Sequence, residues 1–455
     1  MIDNFKDKKV LIVGLGRAGV AAARYAAGRG ACVTVSEKKD EPQVREYVSK
    51  LKEFEIAYSF GKNDPALMMN SDLIVLSPGV PLNIDGLKQA KRAGVPVVNE
   101  LELAVCEIKT PMIAVTGTNG KTTTATLIGH LLTECGIKNC VGGNIGTALT
   151  DLINDAKGVD WVVVEVSSFQ LETTPSLAPK IGVLLNVTPD HLDRHESFEE
   201  YLMIKAKLFD ALNKEGWGIY NSSDSGVAGS VKKSRARLIP FNSNARLESG
   251  GWFENGVLST DVSGKAKNQY RLDNVRLKGS HNRENMLASV IVAELCGADR
   301  DKIQRGLESF KGLPHRIEYV GLRCGVKYYD DSKGTNVGAT VAALENFSGP
   351  VILIAGGVDK GGSYEPLAPL IRERVRLMVL IGKAKDKMKA ELGNLTDTVF
   401  ADTLEGAVEI AADRAKAGDV VLLSPACASF DMFRDYAHRG EVFAGAFKNL
   451  KNGKH

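Results

Sequence analysis

The sequence predicts an α/β protein with three domains, each built around a sheet of mostly parallel strands. Three observations support this prediction. Short apolar runs alternate with segments of helical periodicity along most of the chain, as in βαβ units. Two glycine-rich turns each stand between an apolar run and a helical segment. A chain of 455 residues is also too long for one hydrophobic core.

Composition excludes several classes of protein. Hydrophobic residues make up 44% of the chain and charged residues 25%, with a net charge of +3, so nothing favours nucleic acid or a membrane surface as a partner. No apolar run approaches the roughly 18 residues of a membrane span. The polar start, residues 1–9, is unlike a signal peptide. Seven scattered cysteines without a CxxC pair indicate reduced thiols. We expect a cytoplasmic protein without membrane insertion, and a monomer as the default state.

The first domain, residues 1–100, has the pattern of a Rossmann-like fold. The apolar run Lys9–Val13 is followed by Gly14-Leu15-Gly16-Arg17-Ala18-Gly19, a helical segment and a second apolar run, Ala31–Ser36. Glu37 then stands at the distance where dinucleotide-binding proteins carry an acid. Further strands are predicted at Asp72–Leu76 and Val95–Val98, with a helix at Ile84–Ala93 between them.

The central domain, residues 101–312, carries the strongest motif. The run Met112–Val115 leads into Thr116-Gly117-Thr118-Asn119-Gly120, and Lys121-Thr122-Thr123 opens a helix. Glycines let backbone N–H groups close on a phosphate, and the lysine reaches the outer phosphates. The Thr122 hydroxyl is a candidate Mg²⁺ ligand. Val115 stands where the standard pattern has its first glycine, so this loop is a shorter Gly-x-x-Gly-Lys-Thr. The segment predicts an ATP-type nucleotide site in a P-loop domain.

Two polar residues follow neighbouring predicted strands. Glu165 comes directly after Trp161–Val164, where an ATP site needs a second Mg²⁺ ligand; a solvated strand-end glutamate is the plainer alternative. His191 follows the strand Ile181–Val187, so we expect it at the same edge of the sheet. We favour a metal ligand over a capping or core histidine.

Lys205 lies on a predicted helix that begins at a Ser197-x-x-Glu200 capping box and runs to about Leu212. Together with Tyr201, Leu208 and Leu212 it falls on one apolar face. A lysine that points inward is costly unless it is paired or modified. Two interpretations stay open on residue chemistry alone: the stem snorkels along the face, or CO₂ carbamylates the amine and makes it a metal ligand.

Residues 215–280 predict only small strands and loops, and Gly279-Ser280-His281-Asn282 then leads into a helix, Arg283–Leu295. The third domain, residues 313–455, again reads as Rossmann-like, with a parallel sheet. Its predicted strands and helices are Val326–Tyr329, Gly338–Glu345, Val351–Ile354, Leu377–Ile381, Thr398–Phe400, Leu404–Lys416 and Val420–Leu423.

Three polar loops follow strands of the third domain: 330–336 (DDSKGTN), 356–362 (GGVDKGG) and 424–430 (SPACASF). Because the carboxyl ends of parallel strands share one edge, these loops predict a second small-molecule pocket.

These motifs together resemble the Mur ligases, and the likeness covers all three domains. The segments that carry it are GTNGKT (117–122), EVSSFQLE (165–172), NVTPDHLDRH (186–195), the Tyr201-to-Lys205 spacing, GxHNxxN (279–285), LPHR (313–316), DDSKGTN and SPACASFD (424–431). Within the family, SSFQLE, the GLGRAG and SPG turns of the first domain and SPACASFDMF resemble the members that add D-glutamate.

The resemblance implies an ATP-dependent ligase in cytoplasmic peptidoglycan precursor synthesis, and hence in cell-wall formation, cell shape and division. The implied reaction activates the alanyl carboxylate of UDP-N-acetylmuramoyl-L-alanine as an acyl phosphate, which D-glutamate then captures as an amide. ATP, two Mg²⁺ ions and a carbamate on Lys205 would take part, and this settles the alternatives for that lysine. Closure of the outer domains on the central one is expected near residues 100 and 312.

The resemblance also implies roles for individual residues. Catalytic roles fall to Lys121, His191, Lys205 and Lys333. Metal ligands would be Thr122, Glu165, His191 and carbamylated Lys205. The ATP-binding residues would be Gly117, Thr118, Asn119, Gly120, Lys121, Thr122, Thr123, Asn282, Asn285, Arg316 and Asp331. Contacts to the UDP substrate fall to Leu15, Arg17, Ser77, Gly79, Asn144 and Ser167, with His191 also matching a contact to its muramoyl-alanine end. Contacts to D-glutamate fall to Thr335, Lys360, Ser429 and Phe430.

One segment departs from the family pattern. Ser36-Glu37-Lys38 stands where the family often offers an Asp and then a Thr-Arg pair to the uracil, so the uracil contacts are open.

Single features of the sequence also suggest three alternative functions. A nicotinamide-dependent dehydrogenase would use Gly14–Gly19 and Glu37 but would leave the phosphate loop unused. A non-catalytic ATP-binding regulator conflicts with five intact residues: Lys121, Glu165, His191, Lys205 and Lys333. A sister ligase for another amino acid would differ mainly in the third domain.

Overall fold

The structure, a computed structural model, describes residues 4–38, 42–190, 194–195, 197–262, 264, 267–359 and 361–450. The chain divides into two compact units. The first comprises Met1–Val187, Glu199–Asp273 and Glu284–Ser309, and the second Thr188–Phe198, Asn274–Arg283 and Phe310–His455.

The first unit begins with a sheet that, within the described residues, has five strands in the order β3-β2-β1-β4-β5, all paired in parallel. The strands are β1 Lys9–Val13, β2 Cys32–Glu37, β3 Ile56–Phe60, β4 Leu73–Leu76 and β5 Val97–Asn99. The helices are α1 Arg17–Ala27, α2 Pro42–Ser49, α3 Pro65–Met69, α4 Asp85–Arg92 and α5 Glu100–Val105. This confirms the predicted first fold and adds β3, which the sequence analysis missed.

The central sheet, as far as the chain is described, has nine strands in the order β14-β13-β12-β11-β10-β9-β6-β8-β7. These are β6 Met112–Thr116, β7 Asn139–Gly143, β8 Trp161–Glu165, β9 Ile181–Leu184, β10 Trp217–Asn221, β11 Arg237–Asn242, β12 Gly250–Glu254, β13 Val257–Asp261 and β14 Asn268–Arg271. Strands β6 to β12 pair in parallel, whereas β12-β13-β14 form an antiparallel extension. The prediction of a mostly parallel sheet is confirmed.

Helices α6 to α11 accompany the central sheet. They are α6 Lys121–Glu134, α7 Ser168–Leu171, α8 Phe198–Asp210, α9 Ser225–Ser230, α10 Ser280–Leu295 and α11 Arg300–Ser309, with 3-10 turns at Leu149–Leu152 and Asp155–Gly158. Helix α10 begins three residues before the predicted Arg283, so the HN motif lies inside its first turn. Strand β9 ends at Leu184 and not at the predicted Val187.

The sheet of the second unit has, in the described part of the chain, six strands in the order β15-β16-β20-β17-β18-β19. They are β15 Glu318–Arg323, β16 Val326–Asp330, β17 Val351–Gly356, β18 Val375–Ile381, β19 Asp397–Phe400 and β20 Val420–Leu423. The helices are α12 Val337–Leu344, α13 Ala368–Arg374, α14 Lys385–Leu392, α15 Leu404–Arg414 and α16 Tyr436–Asn449, with a 3-10 turn at Glu365–Leu367.

The predicted parallel sheet of the third domain is confirmed for most of its strands, and one edge strand is antiparallel. Strands β15 and β16 form an antiparallel hairpin that turns at Cys324 and Gly325, while the other pairs are parallel. Cys324 and Gly325 both have positive φ, as a two-residue hairpin turn requires. A turn this short joins only antiparallel strands.

The central strands of the third sheet are buried on both faces. All six residues of β17 and all four of β20 are buried, and the side chains of β17 alternate between two core clusters. A continuous apolar run is what such a strand needs, because helices cover both faces of a parallel sheet. The rigid sheet therefore fixes the positions at which its polar loops begin.

Candidate active site

The phosphate loop follows β6 and ends at α6, and its backbone requires glycine at two places. Gly117 and Gly120 have φ of +152° and +84°. A Cβ on Gly120 would lie 2.2 Å from the Asn285 side-chain oxygen, so space as well as φ excludes a side chain there. Gly120 is also the N-cap of α6 and has no side chain to cap the helix. The N–H groups of the first turn therefore suit an anion.

Asn186 fixes the outer part of the loop. The N–H of Asn119 donates to the Asn186 side-chain oxygen (2.9 Å), and the N–H of Thr118 donates to the Asn186 carbonyl (2.8 Å). The Thr118 hydroxyl lies 3.3 Å from the hydroxyl of Tyr201. Asn186 was not predicted as a site residue; it lies two residues after β9 and opens the NVTPDH segment.

Lys121 folds back over the loop that precedes it. Its ammonium donates to the carbonyls of Gly117 (2.9 Å) and Thr118 (2.8 Å). A phosphate oxygen is a stronger acceptor than a carbonyl, because the hydrogen bond is then assisted by charge on both sides. Lys121 thus lies where an ATP phosphate at this loop could take over its hydrogen bonds.

Glu165 is buried, with 2% of its surface exposed, and its carboxylate joins two other predicted site residues. The Thr122 hydroxyl donates to one carboxylate oxygen and the Asn144 amide to the other, both at 2.8 Å. A hydroxyl and a carboxylate oxygen this close are hard donors of the kind that Mg²⁺ prefers. The residues present therefore fit a Mg²⁺ ion, for which Thr122 and Glu165 would be the protein ligands.

Lys205 points inward, as the helical periodicity predicted, and is only 1% exposed. Its ammonium donates to the Gly117 carbonyl (2.9 Å) and lies 4.5 Å from the centre of the Tyr201 ring. Lys207, two residues on, is exposed. The phosphate loop thus has one lysine on its surface and a second beneath it. His191, predicted as the partner of Lys205 in a metal site, lies outside the described residues.

The first glycine-rich turn is closed by Glu37 and Ser77. The N–H of Leu15 donates to the Glu37 carboxylate (2.7 Å), and the Ser77 hydroxyl donates to the Gly14 carbonyl (2.7 Å). Arg17, the first residue of α1, donates to the Asn144 carbonyl (2.7 Å). Glu37, the acid that a dehydrogenase would use to bind a ribose, therefore stabilises the glycine-rich turn through its bond to Leu15.

The two remaining residues assigned to the UDP substrate lie on short turns. Gly79 is exposed in the turn that follows β4. Ser167 is the N-cap of α7, in a reciprocal capping box with Gln170. The capping box orients the Ser167 hydroxyl, since that oxygen accepts the Gln170 N–H.

In the second unit, the fully buried Asp331 pairs with Arg316, whose side chain is 22% exposed. Arg316 lies 3.3 Å from one carboxylate oxygen of Asp331, and the Ser424 hydroxyl donates to the other at 2.8 Å. Burial raises the pKa of Asp331 to about 6 against the opposing pull of Arg316. This links two of the predicted polar loops with the LPHR segment.

A cavity of about 610 Å³ opens beside Arg316. Asn282, Tyr319, Tyr329 and Phe347 also line it, so both polar groups and aromatic rings face the cavity. Its volume is within the range of small-molecule sites. Two of the predicted ATP-binding residues, Asn282 and Arg316, therefore lie at a cavity of suitable size. Asn285 instead contacts the Thr124 hydroxyl (3.2 Å) in the first unit, behind the phosphate loop.

Arg439 connects two of the polar loops of the third sheet, 330–336 and 424–430. It is fully buried and donates to the Ser332 hydroxyl (2.9 Å), the Ser332 carbonyl (2.8 Å) and the Cys427 carbonyl (3.2 Å). Burial lowers its pKa to about 10. Arg439 could not be predicted from the sequence, because nothing in the local pattern marks an arginine on α16 as buried.

Lys333 and Thr335 lie in the same loop as Ser332, which Arg439 contacts. The Lys333 ammonium donates to the Tyr436 hydroxyl (2.9 Å), and the Thr335 N–H donates to the Lys333 carbonyl (2.9 Å). Tyr436, like Asn186 and Arg439, was not predicted from the sequence. A cavity of about 480 Å³ nearby takes wall residues from all three predicted polar loops, namely Asn336, Asp359 and Ala426.

The other predicted D-glutamate contacts differ in exposure. Ser429 is buried at 2% exposure, whereas the Phe430 side chain is 74% exposed. Lys360 lies outside the described residues. The structure thus brings Lys333, Thr335 and the loop of Ser429 to one edge of the sheet.

Three further groups at this edge could hold a cation but are used otherwise. The possible ligand atoms of His315, Glu318 and Asp330 lie within 4.8 Å of one another. The His315 ring contacts the Asp330 carboxylate (2.7 Å), and the His315 N–H donates to Glu318 (2.7 Å). They form a hydrogen-bonded cluster that holds the LPHR turn.

Family models match all three parts of the chain. Residues 8–99 match the Mur ligase MurD-like N-terminal domain, residues 115–293 the Mur ligase middle domain, and residues 315–427 the Mur ligase glutamate ligase domain. The chain is 48% identical to the UDP-N-acetylmuramoylalanine--D-glutamate ligase of Geotalea daltonii, over 98% of this chain and 99% of the relative. It is 46% identical to the ligase of the same name from Citrifermentans bemidjiense, over 99% of both chains.

Solved structures show the same fold at low identity. The UDP-N-acetylmuramate-alanine ligase MurC of Thermotoga maritima has a TM-score of 0.60 at 18% identity and covers 97% of this chain and 99% of its own. The MurF ligase of Thermotoga maritima, in complex with ADP, has a TM-score of 0.61 at 18% identity and covers 98% of both chains. No helix among the described residues is long and apolar enough to cross a membrane. The predicted resemblance is confirmed, and the chain belongs to the Mur ligase family.

Proposed function

We propose that this protein adds D-glutamate to UDP-N-acetylmuramoyl-L-alanine in an ATP-dependent reaction of peptidoglycan precursor synthesis. The relatives that match almost the whole chain at 46–48% identity are named as ligases of this reaction. The observation that carries the proposal is the phosphate loop, where Lys121 covers the loop and Thr122 meets the buried Glu165 carboxylate at 2.8 Å. A phosphate-loop lysine and a hydroxyl–carboxylate pair for Mg²⁺ are the groups that ATP-using enzymes need to bind their nucleotide.

The chemistry has two steps. An oxygen of the alanyl carboxylate attacks the γ-phosphorus of ATP, and the bond from that phosphorus to ADP breaks. The amine of D-glutamate then attacks the acyl carbon, loses a proton and expels inorganic phosphate, which leaves an amide. Neither step needs a nucleophilic side chain, because the reactants themselves supply the nucleophiles.

The main barrier to the reaction is the electrostatic repulsion between its anionic reactants. Fixed cations and N–H dipoles of the chain would reduce this repulsion. Lys121 and the first turn of α6 would hold the ATP phosphates, and Lys333 would face the acyl phosphate. Mg²⁺, held by Thr122 and Glu165, would neutralise phosphate charge when bound. A second Mg²⁺ would have His191 and a carbamylated Lys205 as ligands.

The finer residue roles are proposals on the same basis. For ATP these are Gly117–Thr123, Asn282, Asn285, Arg316 and Asp331. For the UDP substrate they are Leu15, Arg17, Ser77, Gly79, Asn144 and Ser167. For D-glutamate they are Thr335, Lys360, Ser429 and Phe430. The proposed domains are 1–100 for UDP, 101–312 for ATP and 313–455 for the amino acid. The protein would act as a monomer in the cytoplasm.

The position of the Lys205 side chain supports the proposal that this residue is carbamylated. A fully buried amine 2.9 Å from a loop carbonyl is placed to become an anionic ligand beside the phosphates once CO₂ is added. Native mass spectrometry at neutral pH in bicarbonate should show one added CO₂ on the wild type and none on Lys205→Met. An equal adduct on both proteins would assign the modification to another amine.

Phosphate release tests the function. The protein is incubated with ATP, Mg²⁺ and UDP-N-acetylmuramoyl-L-alanine, with D-glutamate, L-glutamate, L-alanine, glycine or no acceptor. We expect release that depends on D-glutamate, together with a product heavier by one glutamyl unit. Release with a different acceptor would overturn the assigned specificity, and no release with any acceptor would overturn the ligase function.

A further inference from the structure

One face of α1 lies along the central-domain segment 144–152. Arg17, at the start of the helix, donates to the Asn144 carbonyl at 2.7 Å. Arg24, two turns later on the same face, makes two hydrogen bonds to the Asp151 carboxylate at 2.8 and 2.9 Å. The first domain thus holds this segment at two points, and only one of them lies next to the phosphate loop.

Asn144 in turn holds Glu165 at two points. Its side-chain amide donates to a carboxylate oxygen (2.8 Å), and its backbone N–H donates to the Glu165 carbonyl (2.9 Å). A Cβ on the neighbouring Gly143 would lie 2.6 Å from that carbonyl, so the two backbones are in close contact. A shift of Asn144 would therefore be transmitted to the Glu165 carboxylate.

Three hydrogen bonds of 2.7–2.8 Å consequently run from Arg17 through Asn144 and Glu165 to the Thr122 hydroxyl. We propose that Arg17 is a positioning residue that couples the UDP-substrate site to the Mg²⁺ ligand of the ATP site. The proposal rests on the proposed function, since it takes the first glycine-rich turn as the diphosphate site and Glu165 as the metal ligand.

The guanidinium group is suited to such a bridge. It carries five N–H donors in a rigid planar fork, and a single hydrogen bond from it is found among the described residues. Arg17 is exposed at the start of α1, so its other donors can take a diphosphate while the Asn144 bond persists. Substrate binding would then order Arg17, Asn144 and the Glu165 carboxylate together. By linkage, Mg²⁺-nucleotide binding would tighten the UDP substrate by the same factor.

Calorimetric titration of the full chain with ADP tests this coupling. ADP is titrated in Mg²⁺ with and without saturating UDP-N-acetylmuramoyl-L-alanine, into the wild type, Arg17→Met and Arg24→Met. Arg24→Met is the matched control, because it also removes a contact between α1 and the 144–152 segment. We expect the UDP substrate to tighten ADP binding at least threefold in the wild type and in Arg24→Met, and to leave it unchanged in Arg17→Met. Arg17→Lys should lose part of the effect, since an ammonium lacks the fork.

Three results would overturn the proposal. Each concerns the ratio of the ADP dissociation constants without and with the UDP substrate. The proposal is wrong if this ratio is one in the wild type, if it is preserved in Arg17→Met, or if it is lost equally in Arg24→Met. The effect should also vanish when EDTA replaces Mg²⁺, and an unchanged ratio in EDTA would exclude a route through Glu165. Failure of the proposed function is a separate result, in which no D-glutamate-dependent phosphate release occurs. If release occurs and the coupling does not, only the role of Arg17 is wrong.

Discussion

Two polar edges of this protein each follow buried parallel strands and each contain a lysine, yet their charges are held differently. At the central phosphate loop, Lys121 and Lys205 bond to backbone carbonyls, and Glu165 accepts only from a hydroxyl and an amide in the bonds described above. At the edge of the third sheet, Asp331 pairs with Arg316, and the fully buried Arg439 holds two loops together.

The difference indicates that the central edge binds the reactants, whereas the buried pairs at the edge of the third sheet stabilise the fold. A phosphate oxygen is a stronger acceptor than the Gly117 and Thr118 carbonyls, so ligand phosphates could take over these bonds of Lys121 without breaking the fold. At the edge of the third sheet, Asp331, Ser332 and Arg439 are themselves buried, so loss of a partner leaves unsatisfied groups in the interior. Substitution of Lys121 at the central edge should therefore affect turnover far more than stability, whereas substitutions at the edge of the third sheet should affect stability as well.

Lys121→Ala should have the largest effect, a fall in kcat/KM of about 1000-fold, since one preorganised charge at a phosphoryl-transfer site contributes on that scale. The melting temperature should change little. Steady-state phosphate release and thermal unfolding measure both quantities. Lys207→Ala is the control, because it removes an exposed lysine from α8. Near-normal turnover of Lys121→Ala would contradict the assignment of the phosphate loop.

Arg439→Met should lower the free energy of unfolding of the second unit by about 3 kcal/mol, since it removes three buried hydrogen bonds from a charged donor. Hydrogen exchange on β16 and β20 measures this opening locally, apart from the first unit. Exchange in β6 should stay unchanged. Equal exchange of β16 in both proteins would show that Arg439 does not support the loops.

The stability of the second unit should depend on pH through Asp331. Its pKa is raised to about 6 in the folded chain, so the folded state binds a proton that the unfolded state has already lost. Stability therefore falls as the pH rises from 4 through 6, by roughly 2–3 kcal/mol, and this slope should be absent in Asp331→Asn. Denaturation without nucleotide at pH 5 and 7.5 gives the comparison. Parallel pH profiles for the two proteins would refute the raised pKa.

Glu165→Gln should raise the Mg²⁺ concentration needed for half-maximal activity by about tenfold, because an amide oxygen replaces a charged ligand. The melting temperature should stay within a few degrees, since an amide can keep the bond from Thr122. Mg²⁺ titrations at fixed ATP measure the shift. An unchanged Mg²⁺ requirement would remove Glu165 from the metal site.

The sequence predicted best the parts that depend on local pattern. The buried strands were visible as apolar runs, and Lys121, Thr122 and Glu165 were found because each stands at a strand end or helix start. Strand β7 was missed because its sequence, Asn-Cys-Val-Gly-Gly, has low strand propensity, and pairing with β8 is what holds it in the sheet. The β15–β16 hairpin was missed for a related reason, since no turn signature of the usual Asn-Gly type marks it.

The residues that sequence reasoning missed are defined by tertiary contacts. Asn186 supports the phosphate loop from 67 residues away, and Arg439 reaches Ser332 across 107 residues. The bond from Arg17 to Asn144 joins two domains and spans 127 residues. No local spacing encodes such pairs, so only the folded chain shows them.

An isotope experiment that follows one oxygen atom through the reaction tests the acyl-phosphate step at the central edge. UDP-N-acetylmuramoyl-L-alanine labelled with ¹⁸O in the alanyl carboxylate is converted with ATP, Mg²⁺ and D-glutamate, and the released phosphate is analysed by mass spectrometry. If the central edge activates this carboxylate with the γ-phosphate, each phosphate released from fully labelled substrate carries one ¹⁸O atom from the substrate. Phosphate without label, formed together with the glutamylated product, would contradict an acyl-phosphate reaction at this site.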